Sequence, residues 1–278
     1  MIPDASVRLT FPAVALDSSP LGPADVSLSG RVAVVTGAAV GIGRATALAL
    51  ARFGADVAVC DRDVANLDSL ADEIEGLGRH VVAAELDVRD GDGVATFLET
   101  VRAQRDRVDV LVNNAGGGFR AGFLDVSEKG QRSLVDENFT SVTHFVRGVV
   151  PLMPPTGGSI ITITSIEAHR AGPEFAVYSA MKAACTSLTK SLALELGPKM
   201  IRVNCIAPDV IPTPGIGAEL GVHTPLPRAG HADDIAGAVV FLASDALSGF
   251  VTGTTIHVDG GNLAAGGWRR QDDGSYTT

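Results

Sequence analysis

The chain has 278 residues, of which 46% are hydrophobic and 19% charged; this supplies a large core and excludes disorder as the general state. Its 22 basic and 32 acidic residues leave a formal net charge of −10, the wrong sign for gripping a phosphate backbone by bulk charge. Aromatics, at 5%, are too sparse for a base-stacking surface, so nucleic acid is not an expected partner.

Residues 1–27 read as an N-terminal extension. Pro3, Pro12, Pro20 and Pro23 recur there with Ser and Gly, and no apolar period is sustained. Met1-Ile2-Pro3-Asp4 lacks a basic stretch and a continuous apolar run, so no secretory signal is expected. No apolar run approaches the roughly 18 residues that span a bilayer, so no membrane partner is expected either. Cys60, Cys185 and Cys205 are too few and too scattered for a disulfide framework. A cytoplasmic protein is the expectation.

The pattern changes at Arg31. Val32-Ala33-Val34-Val35 is a continuous apolar run ending in Thr36-Gly37, as in a strand buried on both faces. A helical stretch, 41–53, follows and is closed by Gly54. Further strands are predicted at 56–60, 80–86, 109–112, 159–164, 201–206 and 254–258. Helices are predicted near 63–77, 91–104, 127–150, 174–197 and 231–243. Strand and helix in turn, with short joins, predict an α/β fold: a mostly seven-stranded parallel sheet covered on both sides, doubly wound in three layers. One continuous alternation makes residues 28–261 a single domain, followed by a C-terminal tail, 262–278, that holds the only tryptophan, Trp268.

The first strand runs into Gly37, Gly41, Ile42 and Gly43. A strand–turn–helix junction that admits a pyrophosphate needs glycines, because side chains would block the backbone's approach. The helix start then supplies free N–H groups and a positive dipole end. Asp61 follows the second strand, where a carboxylate accepts hydrogen bonds from ribose hydroxyls and repels a 2′-phosphate. Arg62 beside it could hold that phosphate, but Val40 adds no positive charge, and the balance favours NAD. Asp87-Val88 ends the third strand and Asn113-Asn114-Ala115-Gly116 the fourth, both on the crevice rim; for Asp87, capping the next helix is a competing role.

Tyr178 and Lys182 lie four apart on a predicted helix and share a face. Ser165 closes the fifth strand, thirteen residues before Tyr178. A phenol is a poor base at neutral pH, whereas an ammonium one helical turn away favours the phenolate.

With these residues the chain resembles the short-chain dehydrogenase/reductase family from about Leu28 to Gly261. Thr36-Gly37 with Gly41-Ile42-Gly43 matches the family's cofactor motif, Asn113-Asn114-Ala115-Gly116 its strand-four motif, and Tyr178 with Lys182 its active-site motif. The resemblance implies a Rossmann-type subunit, usually of a homotetramer or else a homodimer, transferring hydride between a nicotinamide cofactor and a small-molecule alcohol or ketone. Tyr178 would be the proton donor or acceptor, and Ser165 would hold the substrate oxygen. Lys182 would bind the nicotinamide ribose and favour the phenolate. Asn138, within the helix beginning near Ser127, would hold a water linking Lys182 to solvent. Pro208, Ile211 and Thr213 stand where the family binds the carboxamide and pyrophosphate. A bulky apolar alcohol such as a hydroxysteroid is one expected substrate.

Two departures stand out. The family's Pro-Gly after strand six is Pro208-Asp209, which puts a carboxylate near the nicotinamide end, either repelling acidic substrates or facing solvent. The 209–228 stretch is short for a substrate lid, so Leu263, Trp268 and Tyr276 of the tail are expected to add apolar wall across a subunit contact. The competing functions are an NADPH-linked 3-oxoacyl-thioester reductase, which Asp61 disfavours, and a non-catalytic dinucleotide-sensing protein, which the presence of both Tyr178 and Lys182 disfavours. The six histidines form no metal-ligand spacing, and Ser165 is not in the G-x-S-x-G setting of a hydrolase nucleophile.

Overall fold

Apolar runs as continuous as Val32–Thr36 are stable only when both faces are covered, and the fold covers them. The computed structural model describes residues 21–214, 224–271 and 273–277. Its main sheet contains β1 (Val32–Thr36), β2 (Asp56–Asp61), β3 (Val81–Glu85), β4 (Val110–Asn113), β5 (Gly158–Ile163), β6 (Ile201–Pro208) and β7 (Thr255–Val258). All pair in parallel, in the order β3-β2-β1-β4-β5-β6-β7.

Ala33 and Val35 of β1 face a core shared with α1 (Gly41–Arg52), α2 (Val64–Gly76) and α7 (Ala232–Ala243). Val32 and Val34 face the other, shared with α3 (Gly91–Arg105), α5 (Ser141–Val149) and α6 (Ala176–Leu196). The chain winds outward from β1 through β2 to β3, then returns to β4 on the other side of β1. That reversal opens a crevice at the carboxyl ends of β1 and β4, where doubly wound sheets bind ligands. Buried Asp109 ties the two strands at their opposite ends, accepting from Val32 N at 2.9 Å, Arg31 Nη1 at 3.3 Å and Arg107 Nε at 2.9 Å.

Every predicted strand and helix is present, with end shifts of one or two residues, except over 127–150. There the chain forms α4 (Glu128–Val135), a π-helical segment (Asp136–Thr140), α5, and a 3-10 turn (Val150–Leu152). Asn138 sits in the π segment, and its side-chain amide donates to Leu134 O at 3.0 Å, the carbonyl an unbroken α-helix would give to its backbone N–H.

Within the 1–27 stretch, residues 1–20 lie outside the described residues. Pro23–Val26 forms a 3-10 turn held to α8 (Asp245–Ser248) by a bond from Ser244, its cap, to Asp25 O at 2.9 Å. After β7 come a short helix α9 (Asn262–Ala265) and a two-stranded antiparallel ribbon, β8 (Arg269–Arg270) with β9 (Tyr276–Thr277). Trp268 and Tyr276 are exposed, and of the lid residues, Ile216 and Leu220 lie outside the described residues.

Candidate active site

The turn after β1 is shaped by glycine. Gly37 and Gly41 have φ of +63° and +60°, which L side chains rarely adopt. At Gly43 a Cβ would stand 2.0 Å from Gly37 O and 2.6 Å from Asn114 Nδ2, so α1 crosses the turn at a distance only glycine allows. No side chain caps α1 at Val40, so its first N–H groups are free to meet an anion. Thr213 closes over the turn, its Cγ2 2.9 Å from where a Cβ on Gly41 would be. Free amide donors and a helix N-terminus fit a dinucleotide pyrophosphate, with Thr213 the side chain that lies against the turn.

The rim residues divide by how they are used. Asn114 spends its side chain on Thr36 O (3.0 Å) and Gly37 O (2.9 Å), bracing the turn, while the backbone N–H groups of Asn114 and Ala115 both donate to Thr36 Oγ1. Val88 and Ile211 bury their side chains in the core. Pro208 ends β6 beside Val258 of β7. Asp61 accepts from Ala39 N at 2.9 Å through Oδ2 and from Arg62 N and Asp63 N through Oδ1, so its carboxylate is oriented toward the glycine turn. Arg62 extends to Glu137, 3.6 Å away. Asp87 is chelated by Arg89, whose hydrogen bonds, ahead of smaller contributions, hold its carboxyl down to about 2. Asp87 is not the helix cap; Asp90 caps α3 by accepting from Asp92 N.

On the β5 side, Ser165 caps a 3-10 turn (Ile166–Ala168) and its Oγ accepts from Glu167 N at 3.1 Å. Tyr178 and Lys182 share one face of α6, with Lys182 Nζ 5.5 Å from the phenol ring centroid. Nearly buried Lys182 donates to Ile163 O at 3.1 Å, which carries it to the β5 end two residues before Ser165. Asn138 is locked to Gly117 from both sides: Nδ2 donates to Gly117 O at 2.8 Å, and Gly117 N donates to Oδ1 at 3.1 Å. A Cβ on Gly116 would meet Asn138 Oδ1 at 2.8 Å and Lys182 Nζ at 2.9 Å, and one on Gly118 would press on the Tyr178 ring at 3.1 Å. The Gly116–Gly118 run therefore lets Asn138, Lys182 and Tyr178 converge.

The sequence reading passed over Gly117 and Gly118, although three consecutive glycines after a strand are a visible sign of close backbone approach. It also passed over Cys185, whose thiol donates to Asn138 O at 3.2 Å. Asp209 is engaged: its Oδ2 accepts from Asn262 Nδ2 at 2.6 Å and its Oδ1 lies 3.8 Å from Arg170. Among the described residues no three His, Cys, Asp or Glu side chains are grouped to hold a metal ion, and no helix is long and apolar enough to cross a membrane.

The family model described as enoyl-(acyl carrier protein) reductase matches residues 37–262. The chain is 37% identical over 264 residues to cyclohexanol dehydrogenase of Rhodococcus sp. (strain TK6), spanning 85% of this chain and 97% of that protein. It is 38% identical over 242 residues to a 3-oxoacyl-(acyl-carrier-protein) reductase of Thermotoga maritima, spanning 84% of this chain and 98% of the relative. Its fold superposes with a TM-score of 0.83 on a 7α-hydroxysteroid dehydrogenase solved with NADH and 7-oxo glycochenodeoxycholic acid; the two are 34% identical, and the match covers 87% of this chain and 98% of the other. Identity at this level over nearly whole chains, joined to the crevice and the Tyr178–Lys182 helix, makes this chain a member of the short-chain dehydrogenase/reductase family of oxidoreductases.

Proposed function

We propose that the protein interconverts a neutral, apolar secondary alcohol and its ketone using NAD(H). The observation that carries this reading is the convergence of Tyr178, Lys182 and Asn138 around Gly116–Gly118, beside the β5 end that bears Ser165. Bound in the cleft, NAD(H) supplies the hydride acceptor or donor. The N–H groups at the start of α1 hold the pyrophosphate, with Thr213 closing above them. Ser165 Oγ holds the substrate oxygen. Tyr178 takes the alcohol proton in oxidation and returns it in reduction, and the Lys182 ammonium stabilises the phenolate and binds the ribose. Asn138, fixed by Gly117, positions a water that passes the proton from Lys182 to solvent. The family resemblance extends this reading to a homotetrameric, cytoplasmic enzyme.

The preference for NAD over NADP rests on Asp61, aimed at the glycine turn, and on Arg62, engaged with Glu137. Repulsion between Asp61 and a 2′-phosphate should cost about 1.4–3 kcal/mol, or about tenfold to a hundredfold or more in affinity. Fluorescence titration of the two reduced cofactors checks it: NADH is expected to bind at least about tenfold tighter than NADPH. Equal affinities, or tighter NADPH, would mean that Arg62 outweighs Asp61 and would favour the 3-oxoacyl-thioester reductase reading.

A further inference from the structure

The loops after β5, β6 and β7 are joined by one chain of polar contacts. Glu167, in the 3-10 turn capped by Ser165, accepts from Arg170 Nη2 and Nε through Oε1 at 2.9 and 3.2 Å. Arg170 Nη2 also lies 3.8 Å from Asp209 Oδ1, and Asp209 Oδ2 accepts from Asn262 Nδ2 at 2.6 Å. The belt thus begins two residues from Ser165 and ends at the start of the tail. It lies on the β5–β6–β7 half of the crevice, away from Asp61 and the adenosine half.

The charges of the belt do not cancel: two carboxylates face one guanidinium. Glu167 Oε2 is buried, with no hydrogen-bond partner among the described residues. His169, beside Arg170 in the chain, packs edge-on against His257 with ring centroids 4.6 Å apart. Partial burial, then His257 and Lys190, push its imidazole below the usual range, so it adds no positive charge at pH 8. The side chains of Glu167, Arg170 and Asp209 remain 24%, 37% and 12% exposed, so the belt is open to solvent.

We propose that Asp209, acting with Glu167 and Arg170, determines the charge of the substrates this site accepts: uncharged alcohols are favoured, and alcohols with a carboxylate near the carbinol are selected against. The inference rests on the proposed function and narrows its substrate class. A carboxylate at this position, where a backbone-only glycine is the family's usual residue, adds negative charge to the substrate side of the cleft.

The test compares two probes of matched shape, the carboxamide and the carboxylate of one hydroxycyclohexane, at pH 8 with NAD⁺ and the intact protein. Wild type is expected to prefer the carboxamide in kcat/KM. Asp209→Asn keeps the shape and can still accept from Asn262, and should narrow that preference about five- to tenfold. Arg170→Gln should widen it, an opposite change that a loosened loop would not produce. Raising the salt concentration should shrink both effects. The same preference in wild type and both variants would overturn the proposal. Should wild type turn over neither these probes nor any other secondary alcohol, the proposed function fails. Titrating the two probes into the NADH complex would then still read the charge dependence: weaker binding of the carboxylate, relieved in Asp209→Asn, upholds the inference, and equal binding overturns it.

Discussion

Tyr178→Phe is expected to lose turnover by at least about a hundredfold, the usual scale for removing a general acid or base. Binding of NADH should stay within a few-fold of wild type. The substitution deletes one oxygen from a half-buried ring and leaves what positions that ring: the backbone of Gly118 on one side, and Phe175 in an edge-on contact with ring centroids 6.3 Å apart. Lys182 keeps its bond to Ile163 O, and the pyrophosphate turn is untouched. Steady-state rates beside a fluorescence titration separate the two quantities. A variant that kept wild-type turnover would remove Tyr178 from the mechanism.

Gly43→Ala should act on the other half of the cleft and with comparable force. The added methyl would stand 2.0 Å from Gly37 O and 2.6 Å from Asn114 Nδ2. Neither neighbour is free to yield: Gly37 N is bonded to Cys60 O at 2.9 Å, and Asn114 holds both Thr36 O and Gly37 O. The start of α1 must therefore shift away from the turn and take its free N–H groups with it. We expect a loss of about 1–3 kcal/mol in stability, as for other overpacked sites, and a Kd for NADH raised at least about a hundredfold. Urea denaturation and the same titration measure both effects. Unchanged affinity would place the pyrophosphate elsewhere.

The architecture was legible because each strand is a short apolar run bounded by glycine or by a polar rim residue, and a parallel sheet covered on both faces demands that pattern. The break at Asp136–Thr140 was not legible. Its cause is the Asn138 side chain competing for the Leu134 carbonyl while bonding Gly117, a contact 21 residues back in the chain that no local periodicity records. Placement of the candidate residues was similarly uneven. The shared face of Tyr178 and Lys182 follows from helical spacing, and Gly37, Gly41 and Gly43 from a turn that needs them. Asn114 and Asp87 carry residue types that suit a cofactor, yet the structure occupies the first side chain with the turn's carbonyls and the second with Arg89. A carboxylate or amide at a strand end reads alike in sequence whether it faces a ligand or its own fold. The belt from Glu167 to Asn262 spans 95 positions, and only the alignment of β5, β6 and β7 in one sheet brings its members together.

NAD-linked oxidation of an uncharged secondary alcohol is tested most directly by reduction of NAD⁺ and NADP⁺ by the purified protein over a panel of such alcohols, from cyclohexanol to a neutral hydroxysteroid. NADH formation is expected with at least one of them, at a kcat/KM for NAD⁺ at least about tenfold above that for NADP⁺, as is its abolition in Tyr178→Phe. Turnover with NADP⁺ alone, or no turnover of any alcohol by a protein that binds NADH, would contradict it.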